Sequence, residues 1–313
     1  MNESSIAVLI PCYNEALSIG KVIADFRRQL PEASIYVFDN NSRDDSAHIA
    51  RQAGATVIRE KRQGKGFVVA AMLRKVSADY YVMVDGDDTY PAECARALLQ
   101  PLLDEDADMV VGQRLSTYTQ DAFRPLHLFG NKMLCALINA IFGTELQDPM
   151  SGYRAFTRDL AESLPVVAKG FDIETEMTLQ MAYLGFTIKE IEIPYRARPQ
   201  GSTSKLRTFH DGFIILIKIL SILKAYKPLT FFGSIGLIFA TASLVLGAFV
   251  IHEYIQYQYI YSVPKAILAA SLMTVAGVCV SIGLIINTLN FRLLEMMSAL
   301  SKQVAHARRD RHA

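Results

Sequence analysis

Through the first 112 residues, short apolar runs alternate with longer amphipathic stretches. Runs rich in β-branched and aromatic residues at 6–10, 34–39, 56–60, 80–85 and 109–112 predict strands. The stretches between them, at 16–30, 44–54, 66–76 and 91–103, predict helices. Ser42 followed by Asp45 reads as a helix N-cap, and Gly54 as that helix's C-terminal stop. Strands alternating with helices predict an α/β fold: a Rossmann-like, mostly parallel sheet with helices on both faces. Ligands of such sheets lie outside the carboxyl ends of the strands. From about 125 to 198 the alternation is less regular, with a helical pattern at 126–142, a polar segment at 148–154, a helix at 172–184 and a strand-like run at 188–195.

The last third has a different texture. Residues 206–227 are mainly apolar, with Arg207, Asp211, Lys218, Ser221 and Lys224 tracing roughly one helical stripe. An amphipathic core helix has the same pattern; the wide aliphatic face, the lysines and the long apolar runs downstream favour a helix lying in a membrane interface. Residues 229–251 and 266–291 contain no charged side chain, and each run exceeds the roughly 20 apolar residues needed to cross a bilayer. The tyrosines between them (Tyr254, Tyr257, Tyr259, Tyr261) suit an interfacial belt. Lys224 and Lys227 precede the first run; Arg292, Lys302, Arg308, Arg309 and Arg311 come after the second. The positive-inside rule then puts both flanks in the cytoplasm. Small residues in the spans (Gly233, Gly236, Ala240, Gly277, Gly283) suit close packing, within one chain or between protomers.

Four segments result: 1–205, a catalytic-type domain; 206–228, an interfacial helix; 229–291, two transmembrane helices; and 292–313, a basic cytoplasmic tail. The N-terminal apolar stretch ends at Pro11, too short for a signal peptide, which predicts a cytosolic first domain on an integral membrane protein. A formal net charge of +1 gives no global bias toward nucleic acid as a partner. The four cysteines are scattered without a CxxC pair, which argues against a zinc site or a disulfide framework.

Candidate chemistry gathers at strand ends. Asp85-Gly86-Asp87-Asp88 directly follows the fourth predicted strand. Carboxylates two residues apart at such a turn can converge on Mg²⁺ or Mn²⁺ and leave positions open for phosphates. An acidic turn capping the next helix is the bland alternative. Pro11-Cys12-Tyr13-Asn14-Glu15 comes after the first strand and Asp39-Asn40-Asn41-Ser42 after the second. Any one cluster is ordinary turn chemistry; three at adjacent strand ends could line one nucleotide pocket.

The motifs IPCYNE (10–15), FDNNSRDDS (38–46), QGKG (63–66), VDGDDTYP (84–91), VVGQR (110–114), DPMSGYRAF (148–156) and RPQGSTSKL (198–206) together resemble family 2 glycosyltransferases of GT-A fold. The resemblance is to the polyprenyl-phosphate branch, similar to dolichol-phosphate-mannose synthase, and covers nearly the whole chain. It implies transfer of a sugar from a UDP- or GDP-linked donor to an undecaprenyl or dolichyl phosphate, with inversion. In that reading Pro11, Tyr13 and Glu15 contact the base and ribose, with Asp39 close by. Asp85 and Asp87 hold the donor diphosphate through the metal, and Thr89 stands where relatives often use Gln. Arg114, Arg124, Arg198, Ser204 and Lys205 bind the acceptor phosphate or steady the leaving diphosphate; Asp87, Arg114, Arg198 and Lys205 form the catalytic set. Glu174 and Glu176 face the site in relatives, or serve as ordinary acids at a helix N-terminus. Some relatives form tetramers through their membrane helices, which extends the expectation to a homo-oligomer.

A phosphomonoester, with a second pKa of about 6, is largely dianionic at neutral pH and attacks without a general base. Three other functions compete. Transfer to a sugar or lipid hydroxyl needs a carboxylate base, for which Asp148 or Asp172 is a candidate. A non-catalytic membrane scaffold is disfavoured by retention of both Asp85 and Asp87, and a pore by the lack of charge in the spans.

Overall fold

The computed structural model describes residues 4–114, 125–164, 173–196 and 220–312, with backbone alone at 125–131, 134, 294 and 297–312. The chain divides into two compact units, Met1–Asp211 and Gly212–Ala313.

The first unit is built on a seven-stranded sheet in the order β3-β2-β1-β4-β6-β5-β7. Its strands are β1 (Ile6–Cys12), β2 (Ser34–Asp39), β3 (Thr56–Arg59), β4 (Tyr80–Met83), β5 (Met109–Arg114), β6 (Arg154–Thr157) and β7 (Ile188–Ile193). β1, β2, β3 and β4 are parallel neighbours, and the register sets Cys12 level with Asp39. β6 runs antiparallel to both β4 and β5, so Arg154 stands level with Met83 on one side and Val111 on the other. β5 and β7 are again parallel.

Helices α1 (Ile19–Gln29), α2 (Ser46–Gln52), α3 (Lys65–Lys75), α4 (Ala95–Leu103), α5 (Pro125–Phe142), α6 (Arg158–Ser163) and α7 (Ile173–Tyr183) complete the unit. α1 shows why: Ile19, Val22, Ile23 and Phe26 fall at helical spacing on one face and are all buried. Burial of side chains of this size is worth about 1.5–3 kcal/mol each. Residues of α1, α2 and α4 join a core on one face of the sheet; those of α3, α6 and α7 join a second core on the other.

Two local expectations change. α2 begins at Ser46, not after Ser42; the Ser42 hydroxyl instead accepts a hydrogen bond from the Asn14 N–H across the site (3.1 Å). Gly54 does end that helix, at φ +85°, a conformation side chains resist. β6 lies within the 125–198 stretch whose alternation is irregular, and it is what makes the sheet mixed.

The second unit contains the described part of α8 (220–226), then α9 (Pro228–Tyr257) and α10 (Val263–His312). α9 and the first 31 residues of α10 are long and apolar enough to cross a membrane, with mean hydropathies of 2.3 and 2.2. They pack as an antiparallel pair. Gly236 lies so close to α10 that an added Cβ would sit 3.0 Å from the Ala276 carbonyl oxygen. Ser243 Oγ donates to the Ala269 carbonyl (2.7 Å), and Asn290 Nδ2 donates to that of Ala225 (2.8 Å). Leu237, Ile238, Phe249 and Ile285 are exposed.

Candidate active site

Because β2, β1 and β4 are adjacent and parallel, their carboxyl ends deliver FDNNS, PCYNE and DGDD to one edge of the sheet. The loops are stitched together there. Ser18 Oγ donates to the Gly86 carbonyl (2.7 Å), joining the start of α1 to the Asp85–Asp88 turn. A Cβ on Gly86 would lie 3.3–3.5 Å from Ile19, Ile10 and the Pro11 carbonyl. The Glu15 N–H donates to Ser46 Oγ (2.8 Å), and the Ser42 N–H donates to the nearly buried Asp39 carboxylate (3.1 Å). Thus Pro11 and Asp39, at the carboxyl ends of β1 and β2, and Tyr13 and Glu15, just past β1, lie on segments that meet. Cys12 takes no ionic part: burial pushes its thiol up to about 12.

Asn40, which the sequence placed in the polar cluster after β2 without an individual role, fixes the third wall. Its Nδ2 donates to the carbonyls of Glu60 (3.2 Å) and Arg62 (2.7 Å), while its Oδ1 accepts from the Gly64 N–H (2.8 Å). Gly64 has φ +132°, open to glycine and strained for other residues, and the turn it makes launches α3 at Lys65.

Lys65 occupies the centre. Its ammonium donates to Asp85 Oδ1 (2.5 Å) and also pairs with Glu174 at the first turn of α7. Burial works against its charged form, yet the two carboxylates hold its pKa above the ordinary lysine range. QGKG carried the signal for this residue, but its partner Glu174 is more than 100 positions away. Glu176, by contrast, accepts from Gln180 along its own helix (3.0 Å).

Asp87 is buried and accepts from Thr89 Oγ1 (2.6 Å), so Thr89 orients this carboxylate. Gly152, from the loop before β6, lies against Asp85; a Cβ there would come 2.5 Å from Oδ2. The Gly152 N–H donates to Tyr90 Oη (3.1 Å), whose pKa burial raises. Asp85 and Asp87 thus bring two hard oxygen donors to one turn, and the turn draws positive charge, since Lys65 already lies on Asp85. This donor set fits a divalent cation that keeps positions for phosphate and water.

On the far side, Arg114 at the end of β5 is clamped by Asp148. Nε and Nη2 donate to the two carboxylate oxygens, each at 2.7 Å, and the backbone N–H adds a third bond (3.1 Å). Its guanidinium also stands 5.6 Å from the Tyr195 ring centroid. Glu190 accepts from the backbone N–H groups of Gln147 (2.7 Å) and Asp148 (2.8 Å), and burial raises its pKa. Beside the turn, Lys21 Nζ pairs with Asp88 (2.7 Å), and the Arg196 N–H donates to the Thr89 carbonyl (2.9 Å). Arg124, Arg198, Ser204, Lys205 and Asp172 lie outside the described residues.

Comparison with known proteins gives the same outline. A family profile described as glycosyl transferase family 2 matches residues 7–164. The chain is 35% identical to glycosyltransferase AglJ of Haloferax volcanii over 252 residues, 80% of this chain and 82% of that protein. It is 32% identical to a dolichyl-phosphate hexose transferase from the same organism, over 67% of this chain and 90% of that protein. Among solved structures it is similar to Mycobacterium tuberculosis glucosyl-3-phosphoglycerate synthase in complex with Mn²⁺, UDP-glucose and phosphoglyceric acid. The TM-score is 0.57 at 23% identity, covering 70% of this chain and 80% of that one.

Proposed function

The chain belongs to glycosyl transferase family 2, using a nucleotide-sugar donor, and on that premise we propose that its acceptor is a polyprenyl phosphate and that transfer is inverting and metal-dependent. One observation carries the choice of acceptor. Among the described residues of the site, Asp85 and Glu174 are bound to Lys65, Asp87 to Thr89, Asp148 to Arg114 and Asp39 to the Ser42 N–H. A hydroxyl acceptor needs a base to take its proton, and Asp148, the candidate among these, is committed to Arg114. A phosphate acceptor needs none. The dolichyl-phosphate relative and the two helices able to span a bilayer support the same choice.

In this reading Pro11, Tyr13, Glu15 and Asp39 receive the nucleoside, and Asp85 and Asp87 would hold the cation. A divalent ion there supplies Lewis-acid neutralisation of the donor diphosphate. Lys65 adds a second positive charge at the same turn, and Arg114, oriented by Asp148, steadies negative charge from the β5 side. Arg124, Arg198, Ser204 and Lys205 are assigned to the acceptor phosphate. Lys224, Lys227 and Arg292 flank the spans on the side assigned to the cytoplasm.

The test is a transfer assay in detergent with undecaprenyl phosphate, Mg²⁺ or Mn²⁺, and a panel of radiolabelled UDP- and GDP-sugars. Label should enter the lipid from one donor, vanish with EDTA, and fall at least about 100-fold in Asp87→Asn. An Asp87→Asn enzyme with wild-type rate would end the metal assignment. Donor binding without any lipid-phase label would move the acceptor to a hydroxyl.

A further inference from the structure

Arg154 is the largest fully buried side chain among the described residues, with no measurable exposure. Arginine is rarely buried so completely, and a guanidinium taken out of water with no carboxylate bonded to it is costly. Its hydrogen bonds go to neutral groups: Nε to the Ser151 carbonyl (2.8 Å), Nη2 to the Pro149 carbonyl (2.6 Å), Nη1 to Thr178 Oγ1 (2.9 Å), and Nη1 also to the Met109 sulfur (4.0 Å). Thr178 Oγ1 in turn donates to the Glu174 carbonyl (3.0 Å), one turn earlier in α7. The strand that carries Arg154 is itself locked between β4 and β5.

The bonds to oxygen converge on two segments. The 148–152 loop carries Asp148, the clamp on Arg114, and Gly152, the neighbour of Asp85. The first turns of α7 carry Glu174, the partner of Lys65. We propose that Arg154 is a positioning residue, tying the 148–152 loop to α7 so that the Arg114–Asp148 and Lys65–Glu174 pairs keep a fixed spacing. It touches neither substrate nor metal, and it acts through the two pairs. Burial lowers its pKa to about 10, so it stays charged at neutral pH. The charge makes its bonds to the three oxygens stronger than neutral ones and accounts for an arginine at a site where an apolar residue would pack more cheaply.

Replacing Arg154 risks the fold, so the test acts on its partner in the full-length protein: Thr178→Val, which removes the hydroxyl at nearly constant shape, and Thr178→Ser, which restores it. The activity arm rests on the sugar-transfer reading; the hydrogen-exchange arm does not. Thr178→Val should raise amide exchange in both 150–153 and 173–178 while leaving 34–64 unchanged. It should also lower kcat by about tenfold at unchanged donor KM, the scale of one lost hydrogen bond to a charged group. Thr178→Ser should return both readouts. Exchange rising in only one segment or in neither would overturn the proposal. So would wild-type kcat per folded enzyme with a lowered Tm, the mark of a purely structural residue. A wild-type protein that transfers no sugar would refute the reaction and leave the exchange arm to decide the role of Arg154.

Discussion

On the β1–β3 side of the site the loops are held mainly by amide and hydroxyl groups bonded to backbone. Asn40 ties down the 60–64 loop, and Ser42 and Asn14 bridge the ends of β1 and β2. On the β4–β7 side they are held by charge: Lys65 between Asp85 and Glu174, Arg114 in the grip of Asp148, and Arg154 beneath both. The difference reflects what each side must do. Side chains bonded to backbone N–H and carbonyl groups hold a shape that depends little on the ligand's charge. Ion pairs can redistribute when an anion arrives, because a cation bound to a carboxylate is equally able to face a phosphate. Shape belongs to the first side and response to charge belongs to the second.

The sharpest way to break this division is Lys65→Met, which leaves Asp85 and Glu174 without the cation between them. We expect kcat/KM for the donor to fall about 10²–10³-fold, the cost of removing one charged donor from such a site, as measured in the transfer assay. Asn40→Ala probes the other side. It strips the 60–64 loop of four hydrogen bonds and should cost about 1–3 kcal/mol of stability, read from the denaturant midpoint, with most of the activity per folded enzyme retained. Should Asn40→Ala instead cripple turnover as deeply as Lys65→Met, the division between shape and charge fails. Ser42→Ala is the mildest of the three. Its one bond to Asn14 is exposed, so a loss below about 1 kcal/mol and near-normal transfer are expected.

Legibility in the sequence divides along a related line. The β1–β5 alternation was legible because each unit is local: a buried apolar run, a polar turn and an amphipathic helix. The clustering of PCYNE, FDNNS and DGDD at one edge came from the parallel order alone. β6 was not legible, since RAFT is four residues without alternation and pairs with strands far away in the chain. The same distance hid the site's ion pairs. QGKG and GFDIETEM were both visible as motifs, yet nothing local states that Lys65 meets Glu174. Arg154 was hidden differently: sequence reasoning places arginine at the surface by default, and only the fold reveals it in the core. Ser42 misled because the capping pattern fitted, while the fold used its hydroxyl to join two loops.

The place of β6 also governs how this chain is made. β4 is complete at Met83, but the strand that belongs beside it begins only at Arg154, roughly 70 residues and, at about 5–20 residues per second, roughly 4–14 s of translation later. During that interval β4 presents an open edge, and β5, complete at Arg114 well before β6, is its nearest suitor. A parallel β4–α4–β5 unit is therefore the misassembly open to the nascent protein, and native assembly requires β6 to enter between two strands that emerged before it.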